Sequence, residues 1–186
     1  MEAQRGGFAA PDPAPWHRGC ADSSRKLCFR WRRADTERAI TYTLKRPECY
    51  RWDFFAGPDE LAHERRSTRN AFARHYPARG RYVAAALPRL PFADNSFSLA
   101  VVSHLLFVFA DRLDRAFHLA AIVELVRVTR GEVRVFPLID PETIRYPALD
   151  QLRKELDAAG IASEVRRVDY IVQPGGGELF VCERAA

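Results

Sequence analysis

The sequence of 186 residues is long enough for one domain with a hydrophobic core and too short for two comfortable ones. Hydrophobic residues make up 47% and charged residues 28%, a balance that excludes a chain disordered throughout. The net charge of +5 and a pI near 9.3 permit weak contact with anionic partners, but specific nucleic-acid recognition needs a clustered motif.

The spacing of the cysteines indicates whether a metal site is expected, and the apolar runs indicate whether a signal peptide or a membrane helix is expected. None of the four cysteines stands in a C-x-x-C pair, so no metal site is predicted. The N-terminus lacks the apolar core of a secretory signal. The longest apolar run, residues 97–110, is shorter than the roughly 20 residues that a membrane helix needs. We expect a cytoplasmic protein that does not contact the membrane.

The first 80 residues divide into two predicted segments. Residues 1–33 show no periodicity, and three early prolines interrupt any helix, so we predict a poorly ordered basic segment. Residues 34–80 form a predicted helical segment, with one short helix over 35–45 and a second that begins at Gly57-Pro58 and ends near His75. An aromatic cluster at residues 50–55 lies between them, and its Trp52 is either a packing residue or part of a lid over a pocket.

Residues 81–186 alternate between strand and helix patterns. Strands are predicted over 81–86, 99–103, 132–139, 164–172 and 178–183, and helices over 117–130 and 146–159. This alternation indicates a mostly parallel sheet with helices on both faces. Glycines 175–177 predict a turn that closes a C-terminal antiparallel hairpin.

Ser103 and His104 follow the apolar run that begins at Leu99. In an open α/β sheet, polar residues at the carboxyl end of a strand face the crevice where ligands bind. His104 is therefore the candidate catalytic residue, as a general base or a hydrogen-bonding group, although it could equally cap the following turn. A hydrolase pair with Ser103 is not expected, because no Gly-x-Ser-x-Gly elbow occurs and adjacent strand residues point in opposite directions.

A family resemblance covers slightly more than half of the chain. The segment Leu-Pro-Phe-Ala-Asp-Asn-Ser-Phe at 90–97, the run Leu-Ala-Val-Val-Ser-His at 99–104 and the helix ending Glu-Leu-Val-Arg-Val-Thr-Arg at 124–130 resemble the second half of a class I S-adenosylmethionine-dependent methyltransferase. The closing hairpin is similar too, since that family's sheet ends in a reversed strand. The resemblance implies an α/β, Rossmann-like sheet that is incomplete here.

The first half of the family pattern is missing. No Gly-x-Gly-x-Gly turn between a strand and a helix occurs, and the acid that usually reads the adenine amino group aligns with Ala86. The resemblance leaves Ala86, Leu87 and Ser103 as cofactor-binding candidates, and Trp52 and Phe107 as candidates for contacting the acceptor. Without the family's central strand, the neighbouring edges are uncovered, and either an upstream segment, a partner or a rearranged sheet must account for the gap.

The leading hypothesis is a methyltransferase-like protein that acts on a small-molecule acceptor with S-adenosylmethionine. We expect the 186-residue chain itself to be truncated or inactive. One alternative is a non-catalytic α/β protein-binding module that engages a partner through the uncovered sheet or the aromatic segment around Trp52, and the uncovered sheet edges also allow self-association. A further alternative is a weak nucleic-acid binder that uses the basic N-terminal arm.

Overall fold

A computed structural model describes residues 22–76 and 82–185 of the chain. The helices are α1 (Asp22–Lys45), α2 (Pro58–His75), α3 (Arg115–Val128) and α4 (Leu149–Ala158), and the strands are β1 (Ala100–Ser103), β2 (Val133–Phe136), β3 (Ile161–Arg167) and β4 (Glu178–Arg184). Short 3-10 helices occupy Pro47–Cys49 and Phe107–Phe109.

The four strands form one sheet in the order β1-β2-β4-β3. β1 and β2 are parallel, whereas β4 is antiparallel to both β2 and β3. Three strands therefore share one direction, and only the last strand of the chain is reversed. The predicted α/β class and the C-terminal antiparallel hairpin are confirmed.

The core lies between the sheet and the pair α3–α4. Val133 and Val135 of β2 are fully buried on this face, and they meet α3 through Ile122 and α4 through residues such as Leu152. The opposite face of the sheet carries the Phe136 ring, which contacts the ring of Tyr170 in the loop after β3.

Two predictions for the ordered elements are wrong. Residues 82–86 form no strand and make only an isolated bridge between Ala86 and Arg89. No described strand lies beside them, and an extended segment without a partner cannot form ladder hydrogen bonds. α1 also begins at Asp22, inside the segment expected to be poorly ordered, because neither proline nor glycine interrupts residues 22–45. The remainder of that prediction, on residues 1–21, lies outside the described residues.

Local signals place α3 as the sequence predicted. The Asp114 carboxylate accepts a hydrogen bond from the Phe117 amide at 2.7 Å and caps the N-terminus. After the helix ends, the chain turns at Gly131, where a Cβ atom would lie 2.3 Å from the Ser98 carbonyl oxygen. Glycine is required here by the close approach of two backbone segments, one leading into β1 and the other into β2.

The Leu-Pro-Phe segment is held against α3 by an ion-pair cluster. The Glu124 carboxylate accepts from the Leu90 amide at 2.6 Å and from the Arg127 guanidinium at 2.8 Å. Arg127 also reaches Asp94, with Nη1 and Oδ1 2.6 Å apart. These hydrogen bonds from Arg127, with that from Leu90, lower the pKa of Glu124 to about 2. The hydrogen bonds of Glu124 and Arg127 thus hold the Leu-Pro-Phe segment against the C-terminal end of α3.

We predict that Glu124→Gln lowers the free energy of unfolding by about 1–2 kcal/mol at pH 7, because the part-buried side chain loses the negative charge that strengthens its hydrogen bonds with Arg127 and Leu90. The folded-state pKa of Glu124 lies below its ordinary value of 4.5, so its stabilising contribution is present above pH 4.5 and declines as the pH falls towards 2. The difference between wild type and variant should therefore shrink over that range in urea unfolding. Asp94→Asn is the control, since its exposed carboxylate should matter by no more than about 0.5 kcal/mol.

Candidate functional site

The candidate site lies where β1 and β2 end side by side. Ser103 is the register partner of Phe136, so their side chains are on the same face of the sheet. The next amide, that of His104, donates to the Phe136 carbonyl oxygen at 2.7 Å. The rings of His104 and Phe136 then meet edge to face, with centroids 5.8 Å apart.

His104 has left-handed backbone geometry, with φ of 53°. Histidine adopts this conformation more readily than most residues, and it ends the strand abruptly. The turn brings Nδ1 of His104 within 2.8 Å of Ser103 Oγ. The expectation that these neighbours point apart is therefore wrong, because His104 is no longer part of a strand. Nε2 has no hydrogen-bond partner among the described residues.

The chemical state of His104 follows from its surroundings. Neighbouring groups partly remove the ring from water, and the Arg65 guanidinium adds positive charge, so both lower the pKa of His104. The residue nevertheless remains exposed to solvent, as a ligand-binding group must. At pH 7 the imidazole is consequently neutral, and its free Nε2 can accept or donate a proton.

The α1–α2 pair brings Arg65 to the site. Glu37 on α1 binds two arginines of α2, Arg66 and Arg69, each at 2.8 Å, and these contacts lower the pKa of Glu37 to about 2. Arg65 itself donates from Nη1 to the Ala39 carbonyl at 3.1 Å and to Thr43 Oγ1 at 2.9 Å. Its guanidinium is thereby fixed between the helices near His104.

Aromatic residues extend the site away from the sheet. Tyr170 lies 6.0 Å from Phe136 and 5.0 Å from Phe54, measured between ring centroids. The loop that carries Phe54 is joined to the loop after β3 by a hydrogen bond from the Arg51 amide to the Val172 carbonyl at 2.8 Å. Phe54 and Tyr170 are 49% and 44% exposed, which makes them accessible to a ligand.

The structure separates the predicted site residues. Ser103 and His104 are together, whereas Trp52 stacks on Tyr50 at 5.7 Å and donates from its indole nitrogen to the Pro47 carbonyl at 3.1 Å. Trp52 shares a loop with Phe54, and its proposed contact with an acceptor stays a prediction. Ala86 is an exposed turn residue without contacts to His104 in the described part of the chain.

The structure places Phe107 in the core. It is 1% exposed, lies 5.4 Å from the buried His118 ring and 4.9 Å from the Tyr146 ring, and so cannot line an open crevice. Its prediction as an acceptor-contacting residue is wrong. The short helix Phe107–Phe109 turns this ring inward.

Four residues of the site were missed by sequence analysis: Phe54, Arg65, Phe136 and Tyr170. Tyr170 follows a polar strand without a recognisable motif, and Arg65 resembled the other surface arginines of its helix. Phe54 belongs to the aromatic cluster that drew attention to Trp52, but its contact with Tyr170 joins distant parts of the chain. Within residues 22–76 and 82–185, no group of His, Cys, Asp or Glu side chains is arranged to bind a metal.

A groove of about 430 Å³ runs along α1, away from His104, and is lined by Ala34, Glu37, Arg38, Thr41, Tyr42 and Lys45. Among the described helices, none combines the length and apolar character needed to cross a bilayer.

No family model matches the chain. An uncharacterized protein of Methanocaldococcus jannaschii is 29% identical over 136 residues, which cover 73% of this chain and 59% of that protein. The chain thus matches less than two thirds of that relative's length. The crystal structure of a SAM-dependent methyltransferase from Methanosarcina mazei is similar over 52% of this chain and 63% of its own, with 16% identity and a TM-score of 0.36. Values this low do not transfer a function.

We predict that Arg65→Gln raises the pKa of His104 towards 6.5, because a nearby positive charge is removed. The measurement is an NMR titration of the assigned His104 ring proton. Since the folded-state pKa is below the unfolded value, the contribution of His104 to stability is present above pH 6.5 and is lost as the pH falls through the folded-state pKa. Arg66→Gln is the matched control, since Arg66 binds Glu37 and should leave the titration unchanged. An unchanged titration in Arg65→Gln would contradict the assignment.

Proposed function

We propose that the chain is a methyltransferase-like domain whose described part forms the acceptor side of a site. The observation that supports this most is the sheet itself, in which the last strand alone is reversed and inserted between β2 and β3. The Leu-Pro-Phe segment, bound to the end of α3 through Glu124 and Arg127, supports it further. His104 is the group proposed to face the acceptor.

S-adenosylmethionine, which would supply the methyl group, does not fit the described residues. Ala86 is exposed and belongs to no strand, whereas Leu87 packs against the hydrophobic core. The chain also has no glycine-rich turn that could cradle the cofactor's amino-acid end. On this proposal the groups that grip the cofactor lie outside residues 22–76 and 82–185, on another segment or on a partner.

We predict that isothermal titration of the 186-residue chain with S-adenosylmethionine or S-adenosylhomocysteine gives a Kd weaker than about 100 μM. The same chain preceded by its upstream coding sequence should bind at least about tenfold more tightly, because the missing cradle would then be supplied. Absence of heat with the extended chain, in both titrations, would remove the cofactor from the proposal.

A second candidate function is protein binding at the edge of β1 that no strand within residues 22–76 and 82–185 covers. Along a strand, the backbone N–H and C=O groups of successive residues point alternately to one neighbouring strand and to the other. The amides of Ala100 and His104 donate to Glu132 and Phe136, so the backbone groups of Val101 and Ser103 point away from β2. The side chain of Val101 is 63% exposed. An open edge with an exposed valine favours addition of another strand, and self-association is the simplest form of it.

We predict that size-exclusion chromatography with light scattering detects a dimer whose fraction rises over about a tenfold range of concentration. Val101→Lys should yield the monomer, since a charge on an edge strand opposes pairing. Ile144→Lys is the control, because Ile144 is 61% exposed on the loop after β2. A wild-type protein that stays monomeric throughout would exclude self-association at this edge.

A further inference from the structure

Four rings form an open surface beside the ends of β1 and β2, which we call the aromatic shelf: Phe54, His104, Phe136 and Tyr170. Their centroids follow one another at 5.0, 6.0 and 5.8 Å. Core aromatics are shielded from water, whereas Phe54 and Tyr170 each expose nearly half of their surface. Successive rings are tilted by 54°, 49° and 76°, so they offer an aromatic ligand both faces and edges to pack against.

Two nitrogen-bearing side chains, His104 and Arg65, stand at the end of the shelf beside β1. His104 Nδ1 is engaged by Ser103 Oγ, which orients the ring and leaves Nε2 without a partner among the described residues. The Arg65 guanidinium is close enough to act on the same ring, and its described hydrogen bonds all leave from Nη1. A ligand oxygen that meets Nε2 would therefore also lie in the positive field of Arg65.

This combination selects one class of ligand. A ring without a polar group would leave Nε2 desolvated and unpaired, which costs binding energy. A cationic ring would be repelled by Arg65. A phosphate would gain little from one arginine already held by Ala39 and Thr43, and it would not use the rings.

We propose that the aromatic shelf binds a planar aromatic ring carrying a hydroxyl group, a ligand of the phenol class. The ring packs against the exposed parts of the tilted Phe54 and Tyr170 rings, and its oxygen meets Nε2 of His104, where Arg65 favours the phenolate form. The role of such a ligand as a methyl acceptor rests on the function proposed above, but its binding does not.

The probe is 4-nitrophenol, whose phenolate has a distinct absorbance, with 4-nitroanisole as a ligand of the same shape and no hydroxyl. In equilibrium dialysis of the 186-residue chain at pH 7.5, we expect a Kd of about 1 mM for 4-nitrophenol, as is reasonable for so small a ligand. Binding of 4-nitroanisole should be at least roughly fivefold weaker, because it cannot donate to Nε2 or carry the negative charge. Equal affinities would overturn the proposal, and this comparison requires no variant.

Two variants locate the site. Phe54→Ala and His104→Asn should each weaken 4-nitrophenol binding by roughly 3- to 10-fold, the size of one aromatic contact or one hydrogen bond. Asparagine is chosen because it tolerates the left-handed backbone of residue 104. Phe97→Ala is the matched control: its ring is 38% exposed and packs on Phe92, on the segment that precedes β1. Circular dichroism verifies folding, and folded variants that bind as the wild type does would refute this location.

The spectrum tests the contribution of Arg65. The phenolate fraction of bound 4-nitrophenol should exceed that of the free compound at the same pH, and Arg65→Gln should remove the excess. A purely structural arginine would leave the fraction unchanged, which would contradict this part of the proposal. Because no cofactor is present, 4-nitrophenol binding without S-adenosylmethionine binding by the extended chain would leave the shelf intact and remove only the methyltransferase proposal.

Discussion

The parallel pairing of β1 with β2 positions the candidate site. The Ala100 amide binds the Glu132 carbonyl at 3.1 Å at one end, and the His104 amide binds the Phe136 carbonyl at 2.7 Å at the other. Between them the register places Ser103 beside Phe136. A slip of one residue would turn Ser103 to the buried face and Val102 to the open one. The geometry of the site thus depends on a short run of backbone hydrogen bonds.

The second hydrogen bond has a local consequence. It holds the backbone of His104 as the chain leaves the strand, and φ of 53° then rotates the ring towards Ser103. Backbone geometry of this kind is tolerated where the surroundings determine it, and such positions cluster at ligand-binding sites. Here the sheet determines the backbone, while Arg65 and Phe136 define the surroundings of the ring.

Local signals predicted much of the fold. Pro58 begins α2, Asp114 caps α3, and Gly160, with φ of 73°, follows α4. Each signal acts within one turn of helix and needs no tertiary information. The strand expected at residues 81–86 is not formed over the described residues 82–86, because a strand exists only where a neighbour accepts and donates its hydrogen bonds.

The candidate site was predictable only in part. Ser103 and His104 follow from the rule for strand ends, but Phe54 and Tyr170 meet through folding of remote segments, and no spacing in the sequence records such a contact. Phe107 shows that sequence reasoning can also assign a residue to the site that the structure places in the core. An apolar ring near a strand end can face a crevice or the core, and only the turn of Phe107–Phe109 decides between them.

The position of β4 also has a consequence for the biosynthesis of the protein. β2 and β3 are both made before β4, yet neither pairs with the other, because β4 lies between them. Until β4 leaves the ribosome, β3 has no partner and one edge of β2 is uncovered, so the four-stranded sheet cannot close. A premature stop before Glu178 would leave β2 paired only with β1 and β3 unpaired, and it would expose these edges to chaperones and proteases.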